Sequence, residues 1–432
     1  MLTLYSFLTA LLSPLILLVF VWRYGLRRTL RGLPERFVLG GSDGSPKPTL
    51  WIHAASVGEV RAAESFLRAA PARYPGWPRL LTTTTVNAKE LAERLDVAEF
   101  VRLAPVDRPG PLGRFVRRWN PRALILVETE LWPQWLKGLS ENNVPVCVIN
   151  GRMSDGAFPW YYRLRFFWEP LLATLARAGV QSPTNASRFL QLGALPDAVA
   201  ITGNLKFDVP LPDPARRAAL RALYRVEGDA PVWVAGSTHD GEEEIVLGAF
   251  LRLRREGVPL RLVLAPRHVE RAGEVRRYAE NTGFRAVLRT RLSEGDAPWD
   301  LLVLDTVGEL ADVYGLATVA YVGGSLIARG GQNPLEPARW GVPVLFGPHM
   351  TNFREMAKLF EERRAALRVA DAESLLAALR DLIASPEKRA ALGDAARACA
   401  DAQRGALEAN LALVAEGLAS GPRRPRGACG GC

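Results

Sequence analysis

The architecture of this chain can be predicted from one segment, Trp51-Ile52-His53-Ala54-Ala55-Ser56-Val57-Gly58-Glu59-Val60. The segment begins as an apolar run typical of a buried strand, turns through small residues and Gly58, and continues with helical spacing. This arrangement predicts that Glu59 lies in the first turn of a helix, at the sheet edge where open α/β proteins bind ligands. The helix dipole favours an ionised carboxylate there, which suits a base, although glutamate is also an ordinary residue in a first helical turn.

Short apolar runs alternate with helical patterns along most of the chain, and this alternation predicts mostly parallel sheets with helices on both faces. In the first half, strand-like runs occur at residues 50–53, 80–84, 123–127, 144–149, 179–181 and, more weakly, 199–202. The alternation restarts in the second half, with runs at residues 231–235, 260–265, 301–304, 319–322 and 343–346. The sequence therefore predicts an α/β fold with two Rossmann-like domains.

The length of the chain also indicates more than one domain, because 432 residues exceed an ordinary single domain. A proline-rich segment separates the two halves and is interpreted as a linker. The amphipathic helical patterns from Asp371 onward are expected to pack back over the first domain. The predicted organisation is a membrane anchor at 1–22, a first domain at 23–208, a linker at 209–214, a second domain at 215–420 and a flexible tail at 421–432.

The charge of the chain indicates an anionic partner. Its formal net charge is +10, with 55 lysines and arginines against 45 acidic residues. A membrane surface, a phosphorylated substrate or a nucleic acid could each satisfy such a charge. The sequence contains no zinc-finger, helix-turn-helix or RNA-binding aromatic motif, so nucleic acid is not expected as a partner.

The N-terminus has the pattern of a membrane anchor. Residues 1–22 contain no charged side chain and are long enough to cross the hydrocarbon core of a bilayer as a helix. The basic residues that follow are expected to stay in the cytoplasm; they are Arg23, Arg27, Arg28 and Arg31. The pattern lacks the features of a cleaved signal peptide, so we expect an uncleaved anchor with the remaining chain cytoplasmic. A monotopic helix that enters one leaflet is the alternative.

Polar clusters follow several of the predicted strands of the first half. Glu128 and Glu130 leave one strand, and strand parity predicts that their side chains point to the same side. The acids also suit the N-terminus of a helix opened by Trp132-Pro133. Lys206 lies just before the linker, where a lysine is usually solvated. Each signal is weak alone, and their number indicates a site at this sheet edge.

A glycine-rich turn in the second half predicts a nucleotide site. Paired glycines such as Gly323 and Gly324 allow backbone N–H groups to approach a phosphate. The spacing matches neither a P-loop nor a dinucleotide fingerprint, so a nucleotide site of another design is predicted. In this site Arg267 offers a bidentate contact to a phosphate and Glu336 can bind ribose hydroxyls. A turn glycine, a surface arginine and a helix cap are the structural alternatives.

The sequence predicts no metal site. The four histidines all fall at the ends of predicted strands, at positions 53, 239, 268 and 349, and none is grouped with carboxylates at metal-ligand spacing. Cys147 lies in an apolar run and is interpreted as a small core residue. Cys429 and Cys432 form a terminal C-x-x-C without a second pair, so they are interpreted as part of the tail.

These motifs together resemble the 3-deoxy-D-manno-octulosonic acid (Kdo) transferases of lipopolysaccharide biosynthesis, which are membrane-associated glycosyltransferases of the GT-B type. The matching segments run in the order of the family, and they are His53–Glu59, Glu128–Pro133, Gly203–Asp208, Gly236–His239, Pro266–His268, Gly308–Leu310, Gly323–Leu326, Asn333–Pro337 and Gly347–His349 with Asn352-Phe353. The resemblance implies two Rossmann-like domains that face each other across a cleft. It covers nearly the whole chain except the tail.

The resemblance also implies an activity and a site. An inverting transferase is expected, which moves Kdo from CMP-Kdo to a lipid A precursor (lipid IVA) at the bacterial inner membrane, without a metal or other cofactor. Glu59 matches the general base of the family, and Glu128 and Lys206 match positions that stabilise the transition state. The CMP-binding segments match Pro266, Arg267, Val307, Gly308, Glu309, Asn333, Pro334, Leu335 and Glu336. Gln332 departs from the usual His and Gly151 from the common Ala.

Two other functions stay open on the sequence. A sugar-nucleotide epimerase has the same kind of fold, but the predicted anchor argues against it. A non-catalytic, membrane-tethered lipid-binding protein is the second alternative, and Glu59, Glu128 and Arg267 argue against it. Family members with the same motifs add different numbers of Kdo units, so the sequence leaves this number open, together with the acyl preference and the oligomeric state.

Overall fold

Two units of the chain, each built on its own sheet, organise the structure, which is a computed structural model. It describes residues 1–40, 44–208, 212–226, 228–292 and 298–423. The first unit comprises Met1–Asp208 and Gly405–Cys432, and the second comprises Val209–Arg404. Part of the predicted linker, at 209–211, lies outside the described residues. So do most of the predicted tail, at 424–432, and its pair Cys429 and Cys432.

The first unit contains a parallel sheet of seven strands in the order β3-β2-β1-β4-β5-β6-β7. The chain order reverses between β1 and β4, which pair in parallel. All six strand-like runs predicted for this half form strands. The strands are β1 Thr49–His53, β2 Arg79–Thr83, β3 Phe100–Leu103, β4 Pro121–Val127, β5 Val146–Gly151, β6 Arg177–Val180 and β7 Val199–Ile201.

Helices cover both faces of this sheet, because its central strands carry apolar side chains on two sides; these strands are buried except at Arg122 of β4. Separate apolar clusters form on the two faces, around Trp51 on one and around Phe66 on the other. The helices are α1 Leu2–Tyr24, α2 Leu26–Arg36, α3 Val57–Arg73, α4 Val86–Leu95, α5 Pro109–Trp119, α6 Pro133–Glu141, α7 Phe158–Arg163, α8 Arg165–Leu172 and α9 Pro183–Gln191. Short 3-10 helices at Pro196–Ala198 and Leu205–Phe207 flank β7.

The predicted anchor forms helix α1, whose first turns pack on the first unit. Tyr5 donates a hydrogen bond to Oδ2 of Asp107 at 2.8 Å, and Gln134 Nε2 donates to Oγ of Ser6 at 2.7 Å. Among the residues that the structure describes, no helix combines the length and the apolar character needed to cross a membrane. The prediction of a spanning anchor is therefore not supported, and the monotopic alternative stays a prediction. The side chains of the basic cluster at 23–31 lie outside the described part of the chain.

The second unit repeats the architecture with a second parallel sheet, in the order β10-β11-β9-β8-β12-β13-β14. The chain order reverses between β8 and β12, which pair in parallel. All five runs predicted for this half form strands, and two short edge strands join them. The strands are β8 Val232–Thr238, β9 Arg261–Pro266, β10 Ala286–Leu288, β11 Leu301–Val303, β12 Val319–Val322, β13 Val344–Phe346 and β14 Ala366–Arg368. The prediction of an α/β fold with two parallel sheets is confirmed.

Helices again flank the second sheet on both faces, with apolar clusters around Trp233 on one face and Tyr314 on the other. The helices are α10 Pro214–Leu223, α11 Glu242–Arg255, α12 Ala272–Glu280, α13 Leu310–Val313, α14 Leu335–Ala338, α15 Arg354–Glu362, α16 Ala372–Ala384 and α17 Pro386–Asp401. Short 3-10 helices lie at Val269–Arg271, Arg289–Arg291, Tyr314–Leu316 and Thr351–Phe353.

The last helix, α18 Ala406–Ser420, belongs to the first unit. It packs against β6 and α3, and Gly417 lies so close to Sγ of the buried Cys147 that a Cβ there would overlap the sulfur. Asn410 Oδ1 accepts a hydrogen bond from Thr202 Oγ1 at 3.1 Å. The expectation that C-terminal helices return to the first domain is met by α18, whereas α16 and α17 stay in the second unit. The sequence placed residues 405–420 in the second domain.

Candidate functional site

The carboxylate of Glu59 is held at the N-terminus of α3, as the sequence predicts. Ser56 is the N-cap of this helix, and its Oγ accepts a hydrogen bond from the backbone N–H of Glu59. Oε1 of Glu59 accepts a hydrogen bond from Ser56 Oγ at 2.9 Å, and Oε2 accepts one from the Ala55 N–H at 2.7 Å. The side chain therefore has a fixed position at the carboxyl end of β1, beside the point where the strand order reverses.

The environment of Glu59 makes its carboxylate a stronger base than an ordinary glutamate. Burial is the largest cause that raises the pKa of Glu59, the charge of Glu130 is the next and that of Glu128 contributes less, and the resulting pKa is about 7. The hydrogen bonds from Ala55 and Ser56 lower the pKa without cancelling these effects. A carboxylate with this pKa is partly ionised at neutral pH and can accept a proton from an alcohol in a transition state.

Glu128 and Lys206 form an ion pair at the same sheet edge. Lys206 Nζ lies 2.9 Å from Oε1 of Glu128, and both side chains are partly exposed. Strand β4 ends at Val127, and Glu128 has a φ of 63°, a left-handed conformation that is uncommon for glutamate. The argument from strand parity is therefore wrong, because the extended backbone does not continue to Glu130. The structure nevertheless brings the three predicted catalytic residues Glu59, Glu128 and Lys206 into one unit.

Glu130 and His53 are further polar residues of this region. His53 ends β1, is fully buried, and its Nε2 lies 3.7 Å from Oε2 of Glu130. Its Nδ1 contacts the Oγ1 and the backbone oxygen of Thr82, at 3.0 and 3.1 Å. Thr82 lies within β2 and thus supplies both contacts of His53 Nδ1 from the neighbouring strand.

The predicted nucleotide-binding residues follow strands of the second unit. Pro266 ends β9, and Arg267 follows it with an exposed side chain whose backbone N–H donates to Thr238 O at 2.8 Å. Asn333, Pro334, Leu335 and Glu336 come after β12 and open α14, where Asn333 Oδ1 accepts a hydrogen bond from the Leu335 N–H at 3.1 Å.

Glu336 and Arg267 act on each other electrostatically, although they follow different strands. Burial raises the pKa of the Glu336 carboxyl, while the charges of Arg339 and Arg267 act in the opposite direction. The guanidinium of Arg267 is exposed and can pair with a phosphate, as predicted from the sequence. The rings of His239 and His268 meet edge to face with centroids 5.7 Å apart, and burial lowers the pKa of His239.

The segment after β11 carries the remaining predicted residues. Val307 is 85% exposed, an unusual surface position for an apolar residue, and Gly308 has a φ of 93°. The Glu309 carboxylate is engaged within the protein, because its Oε2 accepts hydrogen bonds from Tyr224 at 3.1 Å and Thr306 at 2.5 Å. Val307 and Gly308 are therefore open to a ligand, whereas Glu309 holds the segment in place.

The glycine-rich turn does not offer its backbone N–H groups to a phosphate. The N–H groups of Gly324, Ser325 and Leu326 donate hydrogen bonds to the carboxylate of Glu242, at 2.6 to 2.9 Å. Tyr321 also donates to Glu242 Oε1, at 2.7 Å. The prediction of a phosphate cradle at this turn is therefore wrong in this structure, because a buried carboxylate occupies the position of the anion.

Glu242 itself is a residue that the sequence analysis did not assign. It is fully buried at the start of α11, and its Oε2 also accepts a hydrogen bond from the His239 N–H at 3.2 Å. A run of three glutamates directly after Gly241 was visible in the sequence. Its pattern is that of an ordinary acidic helix N-terminus, so it did not distinguish the buried Glu242 from the exposed Glu244.

The described part of the chain contains no group of three or more His, Cys, Asp or Glu side chains placed to hold a metal ion. Its two free cysteines, Cys147 and Cys399, are both buried. Burial raises the pKa of the Cys147 thiol to about 12, which agrees with its interpretation as a core residue.

Comparison with known proteins shows similarity over nearly the whole chain. The domain family described as "3-Deoxy-D-manno-octulosonic-acid transferase (kdotransferase)" matches residues 31–209. A 3-deoxy-D-manno-octulosonic acid transferase of Haemophilus influenzae is 33% identical over 417 residues, which cover 95% of this chain and 97% of that protein. The enzyme of the same name from Bordetella pertussis is 35% identical over 430 residues, which cover 95% of this chain and 98% of the relative.

A solved structure shares the fold. It is a UDP-GlcNAc 2-epimerase from Neisseria meningitidis bound to UDP-GlcNAc, with a TM-score of 0.51, and the match covers 86% of this chain and 99% of that one. The sequences are only 12% identical, so the likeness concerns the fold and not the activity.

Proposed function

The chain belongs to the Kdo transferase family, and on that premise we propose that it transfers Kdo from CMP-Kdo to a lipid A precursor, lipid IVA, in lipopolysaccharide biosynthesis. The relatives are named for the transfer of 3-deoxy-D-manno-octulosonic acid. The observation that carries the proposed mechanism is the Glu59 carboxylate, which is held by two hydrogen bonds and has a pKa raised to about 7.

Glu59 is the general base of the proposed reaction. It removes the proton from a sugar hydroxyl of the acceptor, whose oxygen attacks the anomeric carbon of Kdo from the face opposite the leaving CMP. The bond from this carbon to the CMP phosphate breaks, and the anomeric configuration inverts. A positioned general base contributes about 10²–10⁴-fold to such a rate. A pKa near the working pH is what this role requires, since the carboxylate must be ionised and still basic.

Positive charge assists the departure of CMP. We assign this role to Arg267, whose exposed guanidinium can pair with the phosphate, and to Lys206 in its ion pair with Glu128. The nucleotide is bound by the predicted segments of the second unit. In this proposal Val307 and Gly308 present an open surface to CMP, and Glu336 binds ribose hydroxyls. CMP-Kdo is a substrate, and no further cofactor takes part.

The acceptor is a lipid, and the first unit offers an apolar surface for a membrane. Helix α1 exposes Phe7, Leu11 and Trp22, the last at 87%. Helices α7 and α8 add Trp160 and Phe166. Tyr5 of α1 and Phe167 of α8 have ring centroids 6.0 Å apart, so these helices are neighbours.

This surface suits a monotopic protein that lies on one leaflet. Arg163 and Arg165 flank the exposed aromatic residues of α7 and α8 and can contact anionic headgroups. We therefore propose that the protein is bound to the cytoplasmic face of the bacterial inner membrane. The net charge of +10 agrees with an anionic lipid surface and with a phosphorylated acceptor.

The function is tested by incubating purified protein with CMP-Kdo and tetraacylated lipid A precursor, followed by mass spectrometry of the lipid. Wild-type protein is expected to add one or more Kdo increments, and folded Glu59→Gln protein is expected to add none. No increment with wild-type protein would overturn the transferase assignment. Increments with both proteins would retain the transferase and assign the base to another residue.

The epimerase alternative makes a different prediction in the same experiment. A sugar-nucleotide epimerase would convert UDP-GlcNAc without any lipid acceptor, whereas the proposed transferase leaves it unchanged. Turnover of UDP-GlcNAc by the wild-type protein, with no Kdo increment on the lipid, would establish the alternative.

A further inference from the structure

His53 is a buried polar residue to which the mechanism above gives no role. It is fully buried at the end of β1, and the ring of Trp135 meets it edge to face at 5.0 Å. Within the described part of the chain, its Nε2 has no hydrogen-bond partner. A buried nitrogen without a partner costs free energy of folding and therefore calls for an explanation. Oε2 of Glu130 lies 3.7 Å from this atom.

The contacts on the other side of the ring are compatible with a proton on either nitrogen. His53 Nδ1 lies 3.1 Å from the backbone oxygen of Thr82, which can only accept, and 3.0 Å from its Oγ1. Trp51 Nε1 donates to this Oγ1 at 2.8 Å, so the hydroxyl has its own proton left to donate, and Nδ1 lies closer to it than the backbone oxygen of Ile52 does, at 3.4 Å. When Nδ1 accepts this proton, Nε2 carries the ring proton and faces Glu130. A lone pair on Nε2 would instead repel the carboxylate.

Glu130 connects this buried histidine with the proposed base. Its charge acts on Glu59 more strongly than that of Glu128 does, and the latter is already paired with Lys206. Glu130 is thus the carboxylate beside Glu59 whose charge is not balanced by a lysine in the described structure.

We propose that His53 and Glu130 form a positioning pair, in which the Nε2–H of His53 holds the Glu130 carboxylate near Glu59 and the charge of Glu130 makes Glu59 a stronger base. This inference rests on the proposed role of Glu59. The distance of 3.7 Å is too long for a hydrogen bond, so the pair requires the Glu130 carboxylate to move closer to Nε2.

The groups around both carboxylates favour this arrangement. Glu59 faces the Ala55 N–H and the Ser56 hydroxyl of its own turn, and Glu128 and Glu130 from the segment after β4. Glu130 faces His53 from β1 and Tyr161 from α7, and its charge raises the pKa of the Tyr161 hydroxyl. Lys206, from the 3-10 helix after β7, is directed to Glu128. Few groups in this arrangement favour the ionised form of Glu59, so they do not cancel the effect of the Glu130 charge on its pKa.

The test is the pH profile of kcat/KM for Kdo transfer, measured with saturating CMP-Kdo between pH 5 and 9. In Glu130→Gln the acid limb is expected to move to lower pH by about 1 unit, since a like charge next to Glu59 is removed. The rate at pH 8 is expected to fall roughly 3–10-fold, because a weaker base accepts the proton less readily. KM for CMP-Kdo stays unchanged. An acid limb at the wild-type position in folded Glu130→Gln would overturn the inference.

The role of His53 is tested by two substitutions, of which only one retains an N–H donor. His53→Phe removes the N–H, and the acid limb is expected to move in the same direction by a smaller amount. His53→Gln places an amide N–H near the position of Nε2 and is expected to keep the wild-type profile. Equal shifts in both variants, with wild-type melting temperatures, would show that the ring N–H does not hold Glu130.

Two controls separate this inference from the proposed function. The first control is Glu64→Gln. Glu64 is a partly exposed residue of α3, the helix that carries Glu59, and it pairs with Arg61 and Arg68. Its substitution is expected to leave the pH profile of kcat/KM unchanged. Full activity of Glu59→Gln would refute the proposed base and leave the positioning pair without its target. Loss of activity in Glu59→Gln together with an unshifted Glu130→Gln profile would refute the positioning pair alone.

Discussion

Lys206 Nζ lies 2.9 Å from Oε1 of Glu128, and this ion pair joins two segments that are 78 residues apart in the sequence. Glu128 lies in a left-handed turn after β4, and Lys206 in the 3-10 helix after β7. A non-glycine residue with positive φ costs free energy of folding and is frequent at functional sites. The pair thus holds Lys206 against the end of β4, at the expense of local backbone strain at Glu128.

Replacement of Lys206 by methionine is expected to reduce catalysis far more than stability. Methionine keeps an unbranched side chain that is one atom shorter and removes the charge, so kcat for Kdo transfer is expected to fall about 10²-fold. A partly exposed ion pair contributes less than about 1 kcal/mol to the free energy of unfolding, so the melting temperature changes little. The measurements are initial rates at saturating substrates and thermal denaturation. A wild-type kcat in Lys206→Met would contradict the role of this cation.

The free energy of unfolding is expected to depend on pH through Glu59. Its pKa is raised from 4.5 to about 7 in the folded protein, so the folded state holds the proton more tightly than the unfolded chain. Stability therefore falls as the pH rises from about 4.5 to about 7. Glu59→Gln removes this dependence, so its stability relative to wild type should increase over this window by on the order of 2–3 kcal/mol.

This prediction is checked by urea denaturation of both proteins at pH 5, 6, 7 and 8. The quantity of interest is the difference between the two free energies of unfolding, because titrating groups that do not interact with Glu59 contribute equally to both proteins. A difference that is constant across the four pH values would show that the pKa of Glu59 is not raised in the folded state.

The strands that the sequence predicts and those that it misses differ in burial. The central strands contain short runs of buried apolar residues, because helices cover them on both sides. The three strands without a prediction are edge strands, β3, β10 and β14. In β14 only Ala366 is buried, while Leu367 and Arg368 are exposed. A strand buried on one side or less has no continuous apolar run, so its sequence resembles that of a loop.

The site was predicted less completely, because its geometry depends on backbone conformations and on partners distant in sequence. Glu59 could be placed, since the cap Ser56 and the helix that follows are local. The different partners of Glu128 and Glu130 could not be predicted, because they depend on the left-handed backbone conformation of Glu128, with a φ of 63°. The glycine-rich turn at Gly324 has the sequence of a phosphate site, but a carboxylate 82 residues earlier fills it.

Asp107 is expected to hold helix α1 against the first unit. Its carboxylate accepts hydrogen bonds from Tyr5 at 2.8 Å and from the N–H groups of Gln134 and Trp135 in the first turn of α6, at 3.2 and 3.0 Å. Asp107→Ala leaves these donors without a buried acceptor, so a loss of about 2–3 kcal/mol is expected. Tyr5→Phe keeps the cap of α6 and removes only the contact with α1, so a loss of about 1 kcal/mol is expected.

Urea denaturation measures these two losses, and limited proteolysis measures the release of α1. Cleavage within α1 is expected to become faster in both variants, whereas only Asp107→Ala weakens α6. Wild-type cleavage rates within α1 of Tyr5→Phe would show that the hydrogen bond to Asp107 does not hold the helix.

Glu242 is expected to stabilise the second unit and, through the turn at Gly324, the nucleotide site. Glu242→Ala leaves the Tyr321 hydroxyl and four backbone N–H groups, those of His239, Gly324, Ser325 and Leu326, without their acceptor in a buried position. A loss of at least about 3 kcal/mol and weaker CMP binding are therefore expected. The matched control is Glu244→Ala, because Glu244 lies in the same helical turn and is exposed. Glu244→Ala should change neither the free energy of unfolding nor the affinity for CMP.

Formate, a small carboxylate, can test whether the carboxylate group of Glu242 is what stabilises the turn at Gly324. The cavity left by Glu242→Ala retains the N–H donors that surround the carboxylate, so formate should bind there and raise the melting temperature of the variant. The rise is expected to exceed that of the wild-type protein and of Glu244→Ala at the same ionic strength. Thermal denaturation across a formate series, with chloride as the ionic-strength control, provides the measurement. A wild-type melting temperature in Glu242→Ala, without any formate, would mean that these N–H groups find other partners and that the buried carboxylate does not organise the turn.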